Sequence, residues 1–369
     1  MDFNFTEDQE SLRDAVRRWV DKDYDFARRH ANVKAGGFSR QAWDGLVGLG
    51  LMGLAVPEEQ GGLGFGPVDA MVVMEELGRG IVMEPYAQAA LIAPCVLAHA
   101  PSGAQAEWLP KIAGGEAMVV LAYQEPGARY RLDSVKAQFA NGQITGTKSL
   151  VPAGDVADAF IVSAQAEGGI ALYLVERAAN GVSTRAYSLQ DGSRAAEVSF
   201  AGSPAIELVG PQQGLAVLEQ AVDIGIAALC GEAVGAMDRL VALTAEYLNT
   251  RKQFGVTIAS FQALRHRMAD VKMQLELARS MSYFATLKLT APEPERRRAL
   301  SQAKLQLGQS MRYVGQQCTQ LHGGIGVTDE YIGSHYFKRL TAMELQFGDT
   351  LHHLGEVSSR MEDTAGVIA

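Results

Sequence analysis

Two stretches of this chain combine residue types that can hold an anionic ligand. The first reads Tyr247-Leu248-Asn249-Thr250-Arg251-Lys252-Gln253-Phe254-Gly255, followed shortly by Ser260-Phe261-Gln262. An arginine presents a rigid guanidinium fork that matches a phosphate bidentately, and Gln253 adds an amide donor. The second reads Gln320-Leu321-His322-Gly323-Gly324-Ile325-Gly326-Val327-Thr328-Asp329-Glu330-Tyr331. Its three glycines let a ligand come close to the main chain. Each stretch also has a plain structural reading. The arginine suits a helix end on account of the dipole, and the glycines suit a helix cap and a turn.

Other patterns carry less. Gly62-Leu63-Gly64-Phe65-Gly66 does not follow a strand, so it is not a dinucleotide fingerprint. Gly146-Thr147-Lys148-Ser149 lacks a glycine directly before the lysine and lies in strand territory. His352 and His353 are adjacent, so on a helix they diverge rather than share a metal. Cys95, Cys230 and Cys318 are far apart, without CxxC or metal spacing, which argues against a disulfide scaffold or any metal site. The net charge of −9 argues against a nucleic-acid partner. Asp2, Glu7 and Asp8 open the chain and no apolar run reaches a membrane-spanning length, so neither a signal peptide nor a membrane span is expected, and the cytoplasm is the expected location.

The elements that must position these stretches are legible in outline. With 369 residues, 47% of them apolar and 20% charged, the chain is globular and of two or three domains. Ten of its twelve prolines fall between Pro57 and Pro211, and the other two are Pro292 and Pro294. Residues 212–291 and 295–369 are therefore free to run as uninterrupted helix. Phe261, Leu264, Met268, Val271, Leu275 and Ala278 form one apolar stripe. Leu300, Ala303, Leu307, Met311, Val314, Cys318 and Leu321 form another, which Gly323-Gly324 should end. Thr6 and Gln9 offer a capping box, and Pro67 suits the first turn of a helix over Val68–Leu77. From 118 to about 210 the pattern changes to short Val-, Ile- and aromatic-rich runs, with Asn141-Gly142 as a hairpin signal. The reading is a mainly α protein with a β insert. It has an N-terminal helical domain (1–117), a middle antiparallel β-domain (118–210) and a C-terminal four-helix bundle (211–369).

Taken together, the two glycine- and arginine-bearing stretches resemble the acyl-CoA dehydrogenase family, whose pattern is R-x-x-F-G with a later F-Q, then Q-x-x-G-G-x-G with a following E-Y. Leu51–Gly64 (LMGLAVPEEQGGLG) and Glu75-Glu76-Leu77-Gly78-Arg79 resemble its N-terminal helical region. The resemblance spans the chain and implies the same three-part organisation. It implies removal of the α-proton and β-hydride of an acyl-CoA thioester, with FAD as hydride acceptor, because no side chain can accept a hydride. It also implies a carboxylate base, hydrogen-bond donors for the thioester oxygen and electron-transfer flavoprotein as a partner. In the family FAD lies across a subunit interface. The residues matching the set that reaches over from the neighbouring subunit are Arg251, Phe254, Gln320, Gly323 and Gly324, with Gln253 and Phe261 less specific.

The other half of the family's site is altered here. Its flavin loop, T-E-P-x-x-G-S-D, corresponds to Gln124-Glu125-Pro126-Gly127-Ala128-Arg129-Tyr130, without the Thr or the G-S-D. Its K-x-W-I-T strand corresponds to Lys148-Ser149-Leu150-Val151-Pro152, where Pro152 removes a backbone donor. The usual catalytic Glu stands about 27 residues past the Gln of Q-x-x-G-G, a position held here by Phe347. Some members place it instead about 26 residues before the Arg, where Gly225 stands. The nearby acids are Asp223, Glu219 and Glu232, and Asp349 lies just past Phe347. Asp349 and Asp223 are the candidate replacements, with a capping or solvated carboxylate as the plain reading of each. Two functions fit. One is a partner subunit that donates FAD contacts in trans within a paired dehydrogenase, a type often used on bulky acyl-CoAs such as sterol side chains. The other is a self-sufficient homo-oligomeric FAD enzyme with an atypical base.

Overall fold

The computed structural model describes residues 4–361. Its helices are α1 (Glu7–Asp23), α2 (Phe26–Lys34), α3 (Arg40–Gly48), α4 (Pro67–Arg79), α5 (Ala93–Leu97), α6 (Ser102–Ala113), α7 (Gly214–Thr250), α8 (Gln262–Lys288), α9 (Glu293–His322), α10 (Ile332–Leu345) and α11 (Thr350–Ser359). Its strands are β1 (Val119–Ala122), β2 (Gln138–Ala140), β3 (Gln143–Pro152), β4 (Ala159–Ala166), β5 (Gly169–Glu176), β6 (Val182–Ser188), β7 (Arg194–Pro204), β8 (Ile206–Val209), β9 (Lys252–Gln253) and β10 (Val256–Thr257). They assort into two compact units. One comprises residues 27–70 and 83–225, the other 4–26, 71–82 and 226–361.

The first unit holds a sheet of order β6-β7-β3-β2-β4-β5-β8, with β1 added beside β4. Most neighbours are antiparallel, while β1 and β2 pair parallel with β4. β1 is buried at every residue and β4 over its first six, so they read as continuous apolar runs. Edge strand β6 alternates nothing and is largely exposed. The β2–β3 turn is the Asn141-Gly142 pair expected from sequence. Both residues are left-handed (φ +52° and +78°), which matches the twist of a tight hairpin. β8 and the β9–β10 ribbon escape sequence reasoning because four- and two-residue strands are too short to show a period.

The second unit is built on α7–α11 with α1 and the end of α4. Thr6 and Gln9 close the capping box on α1. The α9 stripe is buried as its spacing predicts, and α9 stops at His322 before Gly323 (φ +66°). Along α8, Val271, Leu275 and Ala278 are buried, whereas Phe261 is exposed and Leu264 and Met268 are only half-buried. The expectation of uninterrupted helix over 212–291 is corrected: α7 ends at Thr250 and a hairpin intervenes before α8. Left-handed Phe254 and Gly255 (φ +52° and +79°) turn the chain there without any proline. α4 and α7 pack backbone to backbone. A Cβ on Gly78 would fall 2.0 Å from the Glu232 carbonyl oxygen, and one on Gly235 1.8 Å from that of Glu75. Ion pairs surround this contact: Arg17 and Arg79 share Glu76, and Arg339 grips Glu232 with two bonds of 2.6 and 2.8 Å. α7 is the one described helix long and apolar enough to cross a membrane. Since 72% of its apolar window is buried within the protein, it serves as a core helix.

Candidate functional site

Arg251 follows the last turn of α7. Its N–H donates to the Tyr247 carbonyl at 2.8 Å, and its carbonyl accepts from Ile258 at 2.9 Å, closing the base of the β9–β10 hairpin. The hairpin tip is Phe254-Gly255, with Phe254 89% exposed and set edge-on to Phe261 at 6.2 Å. The Gln253 amide donates to the Lys252 carbonyl at 2.8 Å. The Arg251 side chain is exposed and has no hydrogen-bond or ion-pair partner among the described residues. An exposed, unpaired guanidinium is free to meet an external anion.

The Gln320–Gly324 stretch lies at the C-terminal end of α9 in the same unit. Gln320, Gly323 and Gly324 are exposed, and a Cβ on either glycine would meet nothing within 4 Å. Their main chain is open to an approaching group. What joins this turn to the arginine hairpin is His322, which sequence reasoning passed over. Its ring lies 4.8 Å from that of Tyr247 and its Nε2 is 2.8 Å from the Tyr331 hydroxyl. All residues expected to contact the dinucleotide thus belong to one unit, on two segments joined by aromatic contacts.

The flavin-loop counterpart in the other unit is closed on itself. Glu125 is buried and accepts from Lys136 N–H (2.7 Å), Ala137 N–H (3.1 Å) and Lys148 Nζ (2.6 Å). Burial pushes this carboxyl up, but the Lys148 ammonium and the two N–H groups outweigh it and keep it ionised below the usual range. Lys148 also reaches Ser163 at 3.1 Å. Beyond Lys148 the ladder slips by one residue, and Leu150 stands left-handed (φ +54°) and 47% exposed. Its N–H donates to the Tyr187 hydroxyl at 3.0 Å.

At the position of the usual base, Phe347 is half-buried and left-handed (φ +58°). Its carbonyl accepts from His353 at 3.1 Å. Lys304, fully buried, donates to the carbonyls of Met343 (3.1 Å), Glu344 (2.9 Å) and Gly348 (2.9 Å), and burial pushes its pKa down to about 8. Lys304 was also missed from sequence. Its signal was a lysine four residues after Leu300, on the apolar stripe of α9. Asp349 caps α11, accepting from His352 N–H at 2.8 Å. Asp223 is buried in α7, and Glu232 is the partner of Arg339. Asp223 belongs to the other unit, and Glu232 is bound to Arg339. His352 and His353 do not diverge as expected. Their rings meet edge-on at 5.0 Å.

One unit thus holds an exposed Arg-Phe-Gly hairpin joined to an open glycine turn on long helices, and the other holds a mixed sheet. Residues 6–116 match the acyl-CoA dehydrogenase N-terminal domain and 212–361 its C-terminal domain. Acyl-CoA dehydrogenase IpdE2 of Mycobacterium tuberculosis is 31% identical over 335 residues, 90% of this chain and 91% of that protein. The structure of the ChsE4-ChsE5 complex from Mycobacterium tuberculosis matches at TM-score 0.91 and 26% identity, covering 99% of this chain and 100% of that one. The structure of a Tcur3481-Tcur3483 steroid ACAD variant matches at TM-score 0.87 and 26% identity, covering 98% of this chain and 99% of that one. The chain belongs to the acyl-CoA dehydrogenase family, whose cofactor is FAD.

Proposed function

We propose that this chain is the partner subunit of a paired acyl-CoA dehydrogenase, contributing FAD contacts in trans to a catalytic chain. The observation that carries this reading is a contrast. The dinucleotide-facing residues Arg251, Phe254, Gly323 and Gly324 are exposed and open, while Glu125 is consumed by Lys148 and position 347 holds Phe. When bound, FAD supplies the hydride acceptor for α,β-dehydrogenation of the acyl-CoA. This chain's part is to hold its phosphates and adenosine end through Arg251 and the main chain at Gly323–Gly324, with Gln253, Phe261 and Gln320 close by. The catalytic chain supplies the base, and electron-transfer flavoprotein receives the electrons.

Exposed apolar side chains support an oligomer. Phe254, Val256, Met273, Leu277, Leu351 and Leu354 all lie on the second unit, and the first turns of α8 are uncovered. Apolar surface of this kind favours association. The pairing of the relatives in the ChsE4-ChsE5 complex favours an unlike partner. The test is the absorbance near 450 nm of the chain purified alone and after co-expression with a family member that keeps the catalytic Glu. A colourless lone chain and a flavin-bearing pair are expected. A yellow lone chain that oxidises an acyl-CoA overturns the partner reading in favour of a homo-oligomeric enzyme.

A further inference from the structure

We propose that His322 is a positioning residue for the dinucleotide half of the cofactor, a pin that Tyr331 holds in one tautomer and that keeps the Arg251 hairpin and the Gly323–Gly324 turn in register. The inference rests on the reading of those segments given above and adds the residue that orients them. His322 is the last residue of α9, directly before Gly323, and is 3% exposed. Its Nδ1 lies 2.8 Å from the Cys318 carbonyl, which can only accept, so Nδ1 carries the proton. Nε2 is then an acceptor, and the Tyr331 hydroxyl donates to it at 2.8 Å. The ring leans on Tyr247 at 4.8 Å and 36°. Tyr247 sits one helical turn before Arg251 and accepts its N–H. One imidazole therefore touches the last turn before the arginine, and it belongs to the residue directly before the first glycine.

The surroundings favour the neutral ring. From α7 it meets Tyr247, and Thr244 bonds the Cys318 thiol. From the start of α10 it meets Tyr331, on which Glu246 and Arg239 of α7 act with opposite sign. Burial lowers the imidazole's pKa, and the Cys318 carbonyl opposes this only in part. A proton on Nε2 would reverse that bond, the ring then donating to the Tyr331 oxygen, so the hydroxyl serves the neutral ring as donor and holds its plane.

Tyr331→Phe removes that donor and leaves the ring stack. Hydrogen exchange of the full chain at pH 7.5 is expected to rise about fivefold in both 252–257 and 323–327, with 262–288 unchanged. A rise in one segment only, or in neither, overturns the pin, and this arm needs no ligand. Calorimetric titration with ADP then tests the link to the nucleotide. Tyr331→Phe should bind ADP about fivefold more weakly than the wild type at pH 8. Failure of the wild type to bind ADP, or equal binding by Arg251→Ala, counts against the nucleotide reading itself. ADP binding that Arg251→Ala abolishes and Tyr331→Phe leaves unchanged overturns the pin alone.

Discussion

Arg251 stands where α7 gives out, and its guanidinium has no internal partner among the described residues. Removing it should therefore cost the protein little stability and cost a bound dinucleotide a charge-assisted contact. Arg251→Ala is expected to weaken FAD binding by the assembly by about 1.5–3 kcal/mol, roughly ten- to a hundredfold, read by fluorescence titration. Unchanged affinity would remove Arg251 from the site. Phe347 is the complementary case. Its turn is fixed by Lys304 and His353 through main-chain carbonyls, independently of the side chain it carries. Phe347→Glu should fit that turn yet give the lone chain no acyl-CoA turnover, because the loop at Glu125 and the strand at Leu150 are altered as well. High turnover by that single variant, assayed with a dye acceptor, would show an intact ring pocket lacking only its base.

At the scale of elements, the informative piece is β3. Lys148 anchors it to the loop after β1 by a buried ion pair, and past that anchor the strand bulges. Breaking one side of a buried pair strands a charge without a partner. Glu125→Gln is expected to destabilise by about 3–5 kcal/mol in urea denaturation, and the double change Glu125→Leu with Lys148→Met by clearly less. Equal losses for the two would mean that the pair's charges do not hold the loop. The contrast with Arg251 is useful. Lys148 is satisfied internally, and the Arg251 guanidinium has no partner among the described residues.

Across the whole molecule, pH acts through buried groups with opposite signs. A cleft of about 270 Å³ between α1, α4, α7 and α8 is lined by Arg13, Glu75, Asp238 and Arg279. Its arginines are paired, Arg13 with Glu10 and Arg279 with Asp238, while Glu75 keeps one buried oxygen without a partner. Burial pushes the Glu75 carboxyl up to about 7, against the pull of Arg279 and Arg13. A raised carboxyl contributes stability that is full below its unfolded value and is lost as pH rises through about 7. His353 does the reverse. Burial depresses it to about 3, so its contribution is full above about 6.5 and is lost as pH falls toward 3. Glu75→Gln should match the wild type at pH 5 and exceed it at pH 8 by up to about 3 kcal/mol. Melting curves at the two pH values decide this, and an equal difference at both would contradict the assignment.

The sequence by itself determined the order of helical, strand and helical regions, the capping box of α1, the stripe and stop of α9 and the Asn-Gly hairpin. Each depends on neighbours within a few residues, and local sterics and period express themselves in the chain directly. It also determined the family, since the arginine and glycine motifs survive as strings, and it exposed the Phe at position 347. Only the tertiary structure decided which charges are spent. That Glu125 is bound by Lys148 and Glu232 by Arg339, while Arg251 is left open, depends on groups up to 107 residues apart. The same holds for Lys304 under the Phe347 turn and for His322 between Tyr247 and Tyr331. A polar side chain's role is set by what it meets after the chain has packed, and spacing along the sequence carries no record of that meeting.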